Sequence, residues 1–141
     1  MARIKISLPT EFTFSTNVPI RISDISRSRH LGHAAVLIIM EEARVRFLGS
    51  LGYTEQDING VGLIMTDAGI IYKRQGYYGQ ILKVELAVTD FTSKGYDLIY
   101  RVSDTNTGDE IARAKTGFLF FDYQQQKTVP IPEDFKKKFS S

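Results

Sequence analysis

The stretch SDISRSRHLGHAAVLIIMEEARVRFLGSLG, residues 23–52, decides the fold. It begins with polar, turn-forming residues and continues into an apolar segment with three- and four-residue spacing. That spacing predicts one long helix from Ala34 to Leu51, with Gly52 as its C-terminal stop. Both histidines of the chain, His30 and His33, stand at the start of this helix. The question is what they do there.

One face of the predicted helix is strongly apolar. Its members recur at helical spacing: Val36, Met40, Ala43, Phe47 and Leu51. Leu37, Ile38 and Ile39 widen this face, so nearly the whole first half of the helix is expected to be covered. Arg44 and Arg46 are expected to face water.

Most of the remaining chain alternates apolar and polar residues, which predicts β-strands. The strands are expected over residues 11–23, 62–74, 81–91, 96–104 and 111–123. A turn at 105–110 joins the last two strands as a hairpin, and a short helix is expected at 132–139. The predicted order is strand, helix, then four strands in a meander, an α+β fold built as one domain over residues 1–141.

Size and composition exclude several classes of protein. A chain of 141 residues buries roughly two thirds of its surface and needs no disulfide or metal to fold. With 18 basic and 16 acidic residues, the net charge of +2 gives no support for nucleic-acid binding. The absence of cysteine excludes disulfides, thiolate zinc sites and a Cys nucleophile. It also fits a reducing compartment, so a cytoplasmic location is expected.

No membrane association, metal or cofactor is predicted from the sequence. The apolar run over residues 34–40 is far shorter than the ~20 residues that span a bilayer. Residues 1–14 lack the apolar core of a signal peptide. The basic end FKKKFSS, residues 135–141, is interpreted as a solvated end.

The loop and helix together resemble the small acyl-CoA thioesterases of the 4-hydroxybenzoyl-CoA thioesterase type. That family carries D-x-D-x-x-G-H-V-N-N-x-x-Y before its helix and E-E-A-R within it. Asp24 falls on the first acid, His30 on the histidine, and residues 41–44 on the helix signature. Ser26 stands where the family has its second, catalytic acid, while Gly32 and His33 replace its asparagine pair.

A later stretch, IIYKRQGYYGQILKVELAV at residues 70–88, resembles the family's Y-x-x-P-x-x-x-G-D-x-L-x-V pattern. Four of its residues match: Tyr72, Gly79, Leu82 and Val84. The resemblance covers residues 12–123 and implies the hotdog fold, a curled antiparallel sheet around one central helix. Such a sheet leaves edges uncovered, so a homodimer or homotetramer is expected.

The resemblance implies hydrolysis of an acyl-CoA thioester. The N-terminus of a helix presents unpaired N–H groups and a partial positive charge. Those donors can stabilise an oxyanion at the thioester carbonyl, each contributing about 3–4 kcal/mol. Small residues at Gly32, Ala34 and Ala35 allow a thioester to approach closely.

Five residues are candidates for catalysis: Asp24, His30, His33, Glu42 and Asp67. Glu42 is expected among apolar neighbours, an environment that favours a carboxylate acting as a proton acceptor. The alternative is that Glu42 pairs with a nearby arginine. Asp67 is a lone acid in an apolar strand and could act across a dimer interface, or bond a local hydroxyl. Asp24 either attacks or braces its loop. The helix dipole disfavours a positive charge on His30 and His33, which could orient the thioester or a water.

Cationic residues near these positions are candidates for binding the CoA phosphates: Arg27, Arg29, Lys73 and Arg74. Tyr77 and Tyr78 could pack on the adenine or the pantetheine arm. Because Ser26 replaces the family acid, a non-catalytic dimer that binds acyl-CoA or another small ligand is the alternative function. A hydratase of the same fold, using Asp24 and His30, is a third hypothesis.

Overall fold

The structure is a computed structural model that describes residues 3–139, so Ser140 and Ser141 of the basic end lie outside the described residues. Within that range the strands and helices occur in this order: β1 Phe14–Pro19, α1 His33–Ser50, β2 Gly62–Tyr72, β3 Ile81–Thr89, β4 Gly95–Asp104, β5 Glu110–Asp122, β6 Lys127–Thr128 and α2 Glu133–Phe139. A short 3₁₀ turn at Ile22–Asp24 follows β1.

The strands form one antiparallel sheet in the order β1-β3-β4-β5-β2, with β6 added to β5. The predicted meander is therefore correct for β3, β4 and β5 and wrong for β2. That strand lies beyond β5, where Tyr72 pairs with Ala112. Alternation along a strand fixes which side chains face the core, but it does not identify the neighbouring strand.

The first strand is shorter than predicted. β1 covers Phe14–Pro19 and pairs with β3, so that Phe14 lies opposite Leu86. Pro19 has no N–H to continue the ladder, and the 3₁₀ turn begins soon afterwards.

The core lies between one face of the sheet and α1. On β3 the residues Leu82, Val84 and Leu86 are fully buried, as their alternation predicts. Both sheet edges reach the helix, because the Phe14 ring lies 5.7 Å from that of Phe47 and Tyr72 bonds to His33. The sheet therefore curls around α1. The helix buries Val36, Ile39, Met40, Ala43, Arg44, Phe47 and Leu48.

The bounds of α1 agree with the prediction to within one residue. Gly52 has a φ of +82°, a conformation that favours glycine. Its N–H donates to the carbonyl of Gly49, and the N–H of Tyr53 donates to that of Leu48. This pair of bonds is the Schellman motif that ends a helix.

The prediction that Arg44 faces water is wrong. Arg44 is only 5% exposed, and its Nε donates to Glu55 over 2.7 Å. Its guanidinium lies 3.4 Å from the Tyr100 hydroxyl and over the Phe118 ring. A buried arginine needs such partners because an unpaired charge is costly inside a protein. The apolar periodicity of the helix carries no signal for these distant partners.

The expectation that the first half of α1 is covered is not met within one chain. Leu37 is 43% exposed and Ile38 is 54% exposed. They line a groove with Met65 and Ala68 of β2. This α1–β2 groove, of about 310 Å³, is completed by Met40, Glu41, Arg44 and Thr116. Within residues 3–139, no helix is long and apolar enough to cross a membrane.

Candidate active site

A cleft of about 480 Å³ lies at the start of α1. Four segments meet there: the loop before α1, the first turn of the helix, the end of β2 with its following loop, and the start of β5. The lining residues are Ser28, His30, Leu31, His33, Val36, Tyr72, Lys73, Arg74, Gln75, Gly76 and Ile111. Four of the predicted site residues, His30, His33, Lys73 and Arg74, are thus brought together.

The N-terminus of α1 is open and has free donors. Gly32 is the N-cap residue, and its N–H is taken by the carbonyl of Asp24 over 3.0 Å. The backbone N–H groups of His33, Ala34 and Ala35 have no acceptor among the described residues. His33 and Ala34 are exposed and Ala35 is half-buried, so this end of the helix lies at the surface. A negatively charged oxygen is the ligand that such a helix end favours.

The loop before α1 is held in place by its own hydrogen bonds. The N–H and the hydroxyl of Ser26 both donate to the carbonyl of His30, over 2.9 and 3.0 Å. The N–H of Leu31 donates to the carbonyl of Gly76, which ties the loop to the segment after β2. Ser26 therefore helps to fix the position of His30.

The contacts of His30 define its neutral tautomer. Its Nδ1 lies 3.1 Å from the carbonyl oxygen of Leu31. A carbonyl only accepts hydrogen bonds, so Nδ1 carries the proton in the neutral ring. Nε2 is then a hydrogen-bond acceptor, as a group that takes a proton from water must be.

His33 contacts Tyr72 through both its side chain and its backbone. The centroids of the two rings lie 4.4 Å apart. The Tyr72 hydroxyl donates to the carbonyl oxygen of His33 over 2.9 Å. Burial raises the pKa of the Tyr72 hydroxyl.

The mouth of the cleft is cationic. Lys73 and Arg74 follow β2, and their N–H groups donate to the carbonyl of Ile111 at the start of β5. Both side chains are exposed, and Arg74 Nε lies 4.0 Å from Asp109. No carboxylate belongs to the described lining of the cleft.

Asp24 lies outside the cleft and is buried. Its Oδ2 accepts the N–H of Arg21 over 2.8 Å, and its Oδ1 lies 3.5 Å from the Arg21 guanidinium. Its own carbonyl accepts the N–H of Gly32. Asp24 thus connects both ends of the loop before α1. These contacts correspond to the bracing role that the sequence left open as the alternative to attack.

Glu42 lies on the far side of α1 from the histidines, in a small hollow of about 170 Å³ that Asp24 also lines. It is not enclosed by apolar side chains, because its side chain is 51% exposed and accepts from Arg46 over 2.9 Å. The rotation of an α-helix about its axis decides which of its side chains face the core. Glu42 points away from the core, whereas several of its apolar neighbours in the sequence point into it.

Asp67 faces the outer side of the sheet, opposite to α1. It is paired with Lys115 and accepts the Thr66 hydroxyl over 2.8 Å. The bond from Lys115 lowers the pKa of this carboxyl, with a smaller effect from Thr66. It lines a separate outer cleft of about 560 Å³ between the sheet and residues 4–9.

Six residues of the cleft lining had no predicted site role: Ser28, Leu31, Val36, Gln75, Gly76 and Ile111. Sequence reasoning noted Tyr72 as a family match but gave it no role. Ile111 enters the cleft because β5 pairs with β2, an arrangement that the expected meander excluded. For Tyr72 a signal existed, because an aromatic residue with a hydroxyl ends an apolar strand beside two cations.

The model of the thioesterase-like superfamily matches residues 20–139. Among solved structures, the chain is similar to the 1,4-dihydroxy-2-naphthoyl-CoA thioesterase of Synechocystis, with a TM-score of 0.81 and 20% identity over 88% of this chain and 93% of that one. It is also similar to the DHNA-CoA thioesterase of Staphylococcus aureus, with a TM-score of 0.77 and 18% identity over 88% and 84% of the two chains.

A third similar structure is the 12:0-ACP thioesterase of Umbellularia californica, with a TM-score of 0.75 and 17% identity over 88% of this chain and 51% of that one. A search of curated proteins finds no significant match. The central helix, the sheet curled around it and the family model that spans most of the chain agree: the protein has the hotdog fold and belongs to the thioesterase-like superfamily.

Proposed function

We propose that the protein hydrolyses an acyl-CoA thioester to a free acid and CoA, at the cleft at the start of α1. One observation carries the proposal. The N–H groups of His33, Ala34 and Ala35 have no acceptor among the described residues, and His33 lines the cleft together with His30, Lys73 and Arg74. Membership of the thioesterase-like superfamily supports the reaction class.

In this proposal the thioester carbonyl oxygen lies at the N-terminus of α1. A water attacks the carbonyl carbon, and the free N–H groups stabilise the negative charge that develops on oxygen. The carbon–sulfur bond then breaks, and the proton first taken from water goes to the CoA sulfur. The acid loses its remaining proton to solvent and leaves as a carboxylate. Because these amides need no rearrangement to face the oxyanion, their effect is available at the moment of reaction.

His30 is the proposed proton acceptor. The Leu31 carbonyl accepts the hydrogen bond from its Nδ1, so Nε2 is the ring nitrogen that can accept a proton from a water in the cleft. His33 is proposed to border the acyl group. Asp24, Glu42 and Asp67 lie outside the cleft of one chain, so we assign none of them the role of base within that chain.

Lys73 and Arg74 are proposed to bind the CoA phosphates. They line the cleft with the histidines and carry exposed cationic ends. Arginine and lysine suit phosphate oxygens, and an exposed pair at the mouth leaves room for a long ligand outside the cleft.

The direct experiment measures thiol release from short, medium, long and aromatic acyl-CoAs. The proposal expects turnover on at least one of them, and a loss in His30→Gln while the melting temperature is retained. Lys73→Ala with Arg74→Ala should raise KM more than it lowers kcat, because phosphate binding is shared by ground and transition states. No release from any acyl-CoA contradicts the proposal.

A non-catalytic acyl-CoA-binding protein is the second candidate. The absence of a carboxylate from the described cleft lining favours it. Ser26 also favours it, because the sequence resemblance implies an acid at that position. This candidate predicts that an acyl-CoA raises the melting temperature in proportion to the logarithm of its concentration, without releasing thiol. A flat melting temperature across a wide titration contradicts it.

We also propose that two copies pair through the exposed edge of β2. Leu37 and Ile38 of α1 and Met65 of β2 are exposed around the α1–β2 groove, and a second copy would cover them. Exposed apolar surface of this kind marks an interaction site.

The opposite edge of the sheet is less suited to pairing. Arg46 of α1 donates to the Asn17 carbonyl and to the Thr16 hydroxyl of β1, each over 2.8 Å. Pro19 removes a further donor from the same strand. β1 therefore offers fewer free ladder groups than β2, which supports assembly through β2.

A further inference from the structure

The Tyr72 hydroxyl bonds to a peptide group at the start of α1 whose N–H has no acceptor among the described residues. Tyr72 is the last residue of β2, and its hydroxyl donates to the carbonyl oxygen of His33 over 2.9 Å. That carbonyl and the N–H of Ala34 belong to the same peptide group, which is planar. A contact that holds the oxygen therefore also sets the direction of the Ala34 N–H.

A second contact fixes the same pair of residues. The Tyr72 ring lies against the His33 imidazole, with centroids 4.4 Å apart and planes inclined by 36°. The Tyr72 side chain thus contacts both the ring and the backbone carbonyl of His33, the first residue of α1. Burial raises the pKa of the hydroxyl, so it keeps its proton and remains a donor at neutral pH.

We infer that Tyr72 is a positioning residue that orients and polarises the His33–Ala34 peptide group, whose N–H is one of the proposed oxyanion donors. The inference rests on the proposed function. Hydrogen bonds in a chain strengthen one another, because a donor at the carbonyl draws electron density to oxygen and leaves the N–H more positive. Tyr72 acts through this peptide group and need not touch the substrate.

The test compares Tyr72→Phe with Tyr123→Phe. The first variant keeps the ring against His33 and removes only the hydroxyl. Tyr123 is a matched control, because its hydroxyl also donates to a backbone carbonyl, that of Leu63, over 2.9 Å, outside the cleft. The inference expects kcat to fall about tenfold in Tyr72→Phe with little change in KM, since one donor is weakened rather than removed. Tyr123→Phe should keep the wild-type kcat.

A second measurement does not depend on turnover. In the NMR spectrum of the ¹⁵N-labelled protein, Tyr72→Phe should move the Ala34 amide proton to lower chemical shift, while Tyr123→Phe leaves it in place. A wild-type kcat in Tyr72→Phe, or an unmoved Ala34 amide, overturns the inference. If the wild type releases no thiol, the proposed function fails instead, and the Ala34 shift alone then supports or overturns the role of Tyr72.

Discussion

Asp24 is a buried acid near the candidate active site, and its contacts assign it to bracing the loop before α1. Its carboxylate accepts the Arg21 N–H, and its carbonyl accepts the Gly32 N–H, so its polar atoms serve the loop before α1. We expect Asp24→Ala to lower the free energy of unfolding by about 1–2 kcal/mol, as the loss of a cap does. Urea denaturation measures this loss.

Asp24→Asn is the matched variant, because it keeps an oxygen acceptor and removes the charge. We expect it to retain thiol release to within a few-fold. A drop of about a hundredfold in kcat, with the unfolding midpoint preserved, would instead identify Asp24 as a catalytic acid or base.

The Asp67–Lys115 pair predicts a small dependence of stability on pH. The pKa of Asp67 lies below its ordinary value of 3.8 in the folded protein, first because of the bond from Lys115. The carboxylate therefore stabilises the fold above that ordinary value, and this stabilisation is lost as pH falls through the lowered pKa. Since the side chain is 57% exposed, the contribution is below about 1 kcal/mol.

Unfolding free energies of the wild type and Asp67→Asn give the measurement. The variant should be slightly less stable at neutral pH and equal to the wild type once the pH falls below the lowered pKa of Asp67. A difference that persists at acid pH would mean that the charge of Asp67 is not its source.

Two histidines and two cations that the sequence offers as candidates, His30, His33, Lys73 and Arg74, line one cleft. Their roles there stay predictions. The sequence could not place Glu42 or Arg44. The direction of each side chain depends on the rotation of α1 against the sheet, and the partners of Arg44 lie at Glu55 and Tyr100 in other elements.

Among the elements, α1 depends on a polar anchor as well as on its apolar face. The buried Arg44 is bonded to Glu55, whose side chain is 27% exposed. Removal of one partner from a buried pair leaves the other charge unpaired. We expect Glu55→Ala to cost about 2 kcal/mol of unfolding free energy, less than a fully buried pair because water reaches Glu55.

Glu41→Ala is the control for this pair. Glu41 lies 3.6 Å from the same guanidinium, but its side chain is 61% exposed, so its loss should cost less than about 1 kcal/mol. Equal losses in the two variants, measured by urea denaturation, would contradict the assignment of Glu55 as the anchor.

The elements were the most predictable level of the structure. The bounds of α1 follow from apolar spacing and from Gly52, which adopts the left-handed conformation that ends the helix. β1 was overextended because the 3₁₀ turn at Ile22–Asp24 preserves an alternating pattern without pairing to β3.

For the whole molecule, the proposed dimer predicts an effect of charge on assembly. Ile38 is 54% exposed beside the β2 edge, so Ile38→Glu would place a carboxylate in the covered groove. We expect the wild type to sediment as a dimer and Ile38→Glu as a monomer. Ile22→Glu is the control, because Ile22 is 70% exposed outside the groove lining. A wild type that sediments as a monomer contradicts the proposal.

The order of strands was the least predictable feature. β2 and β5 are separated in sequence by β3 and β4, and their pairing depends on how α1 returns the chain to the far side of the sheet. The same pairing brings Ile111 beside Lys73 and completes the cleft. Ile111, whose place in the cleft depends on strand order, was therefore not a candidate from the sequence, whereas His30 and His33 beside the helix start were.

The Ala34 N–H is the single proposed oxyanion donor whose removal tests the proposed chemistry directly. Exchange of Ala34 for lactic acid by nonsense suppression replaces that N–H with an ester oxygen and breaks no described hydrogen bond of this N–H. With acyl-CoA substrates and a thiol readout, we expect kcat to fall about a hundredfold to a thousandfold in a variant that still unfolds cooperatively. The melting temperature should fall only slightly, because the ester carbonyl of residue 33 is a weaker acceptor for the Tyr72 hydroxyl. Thiol release at the wild-type rate by this variant would contradict the claim that the N-terminus of α1 stabilises the reacting oxygen.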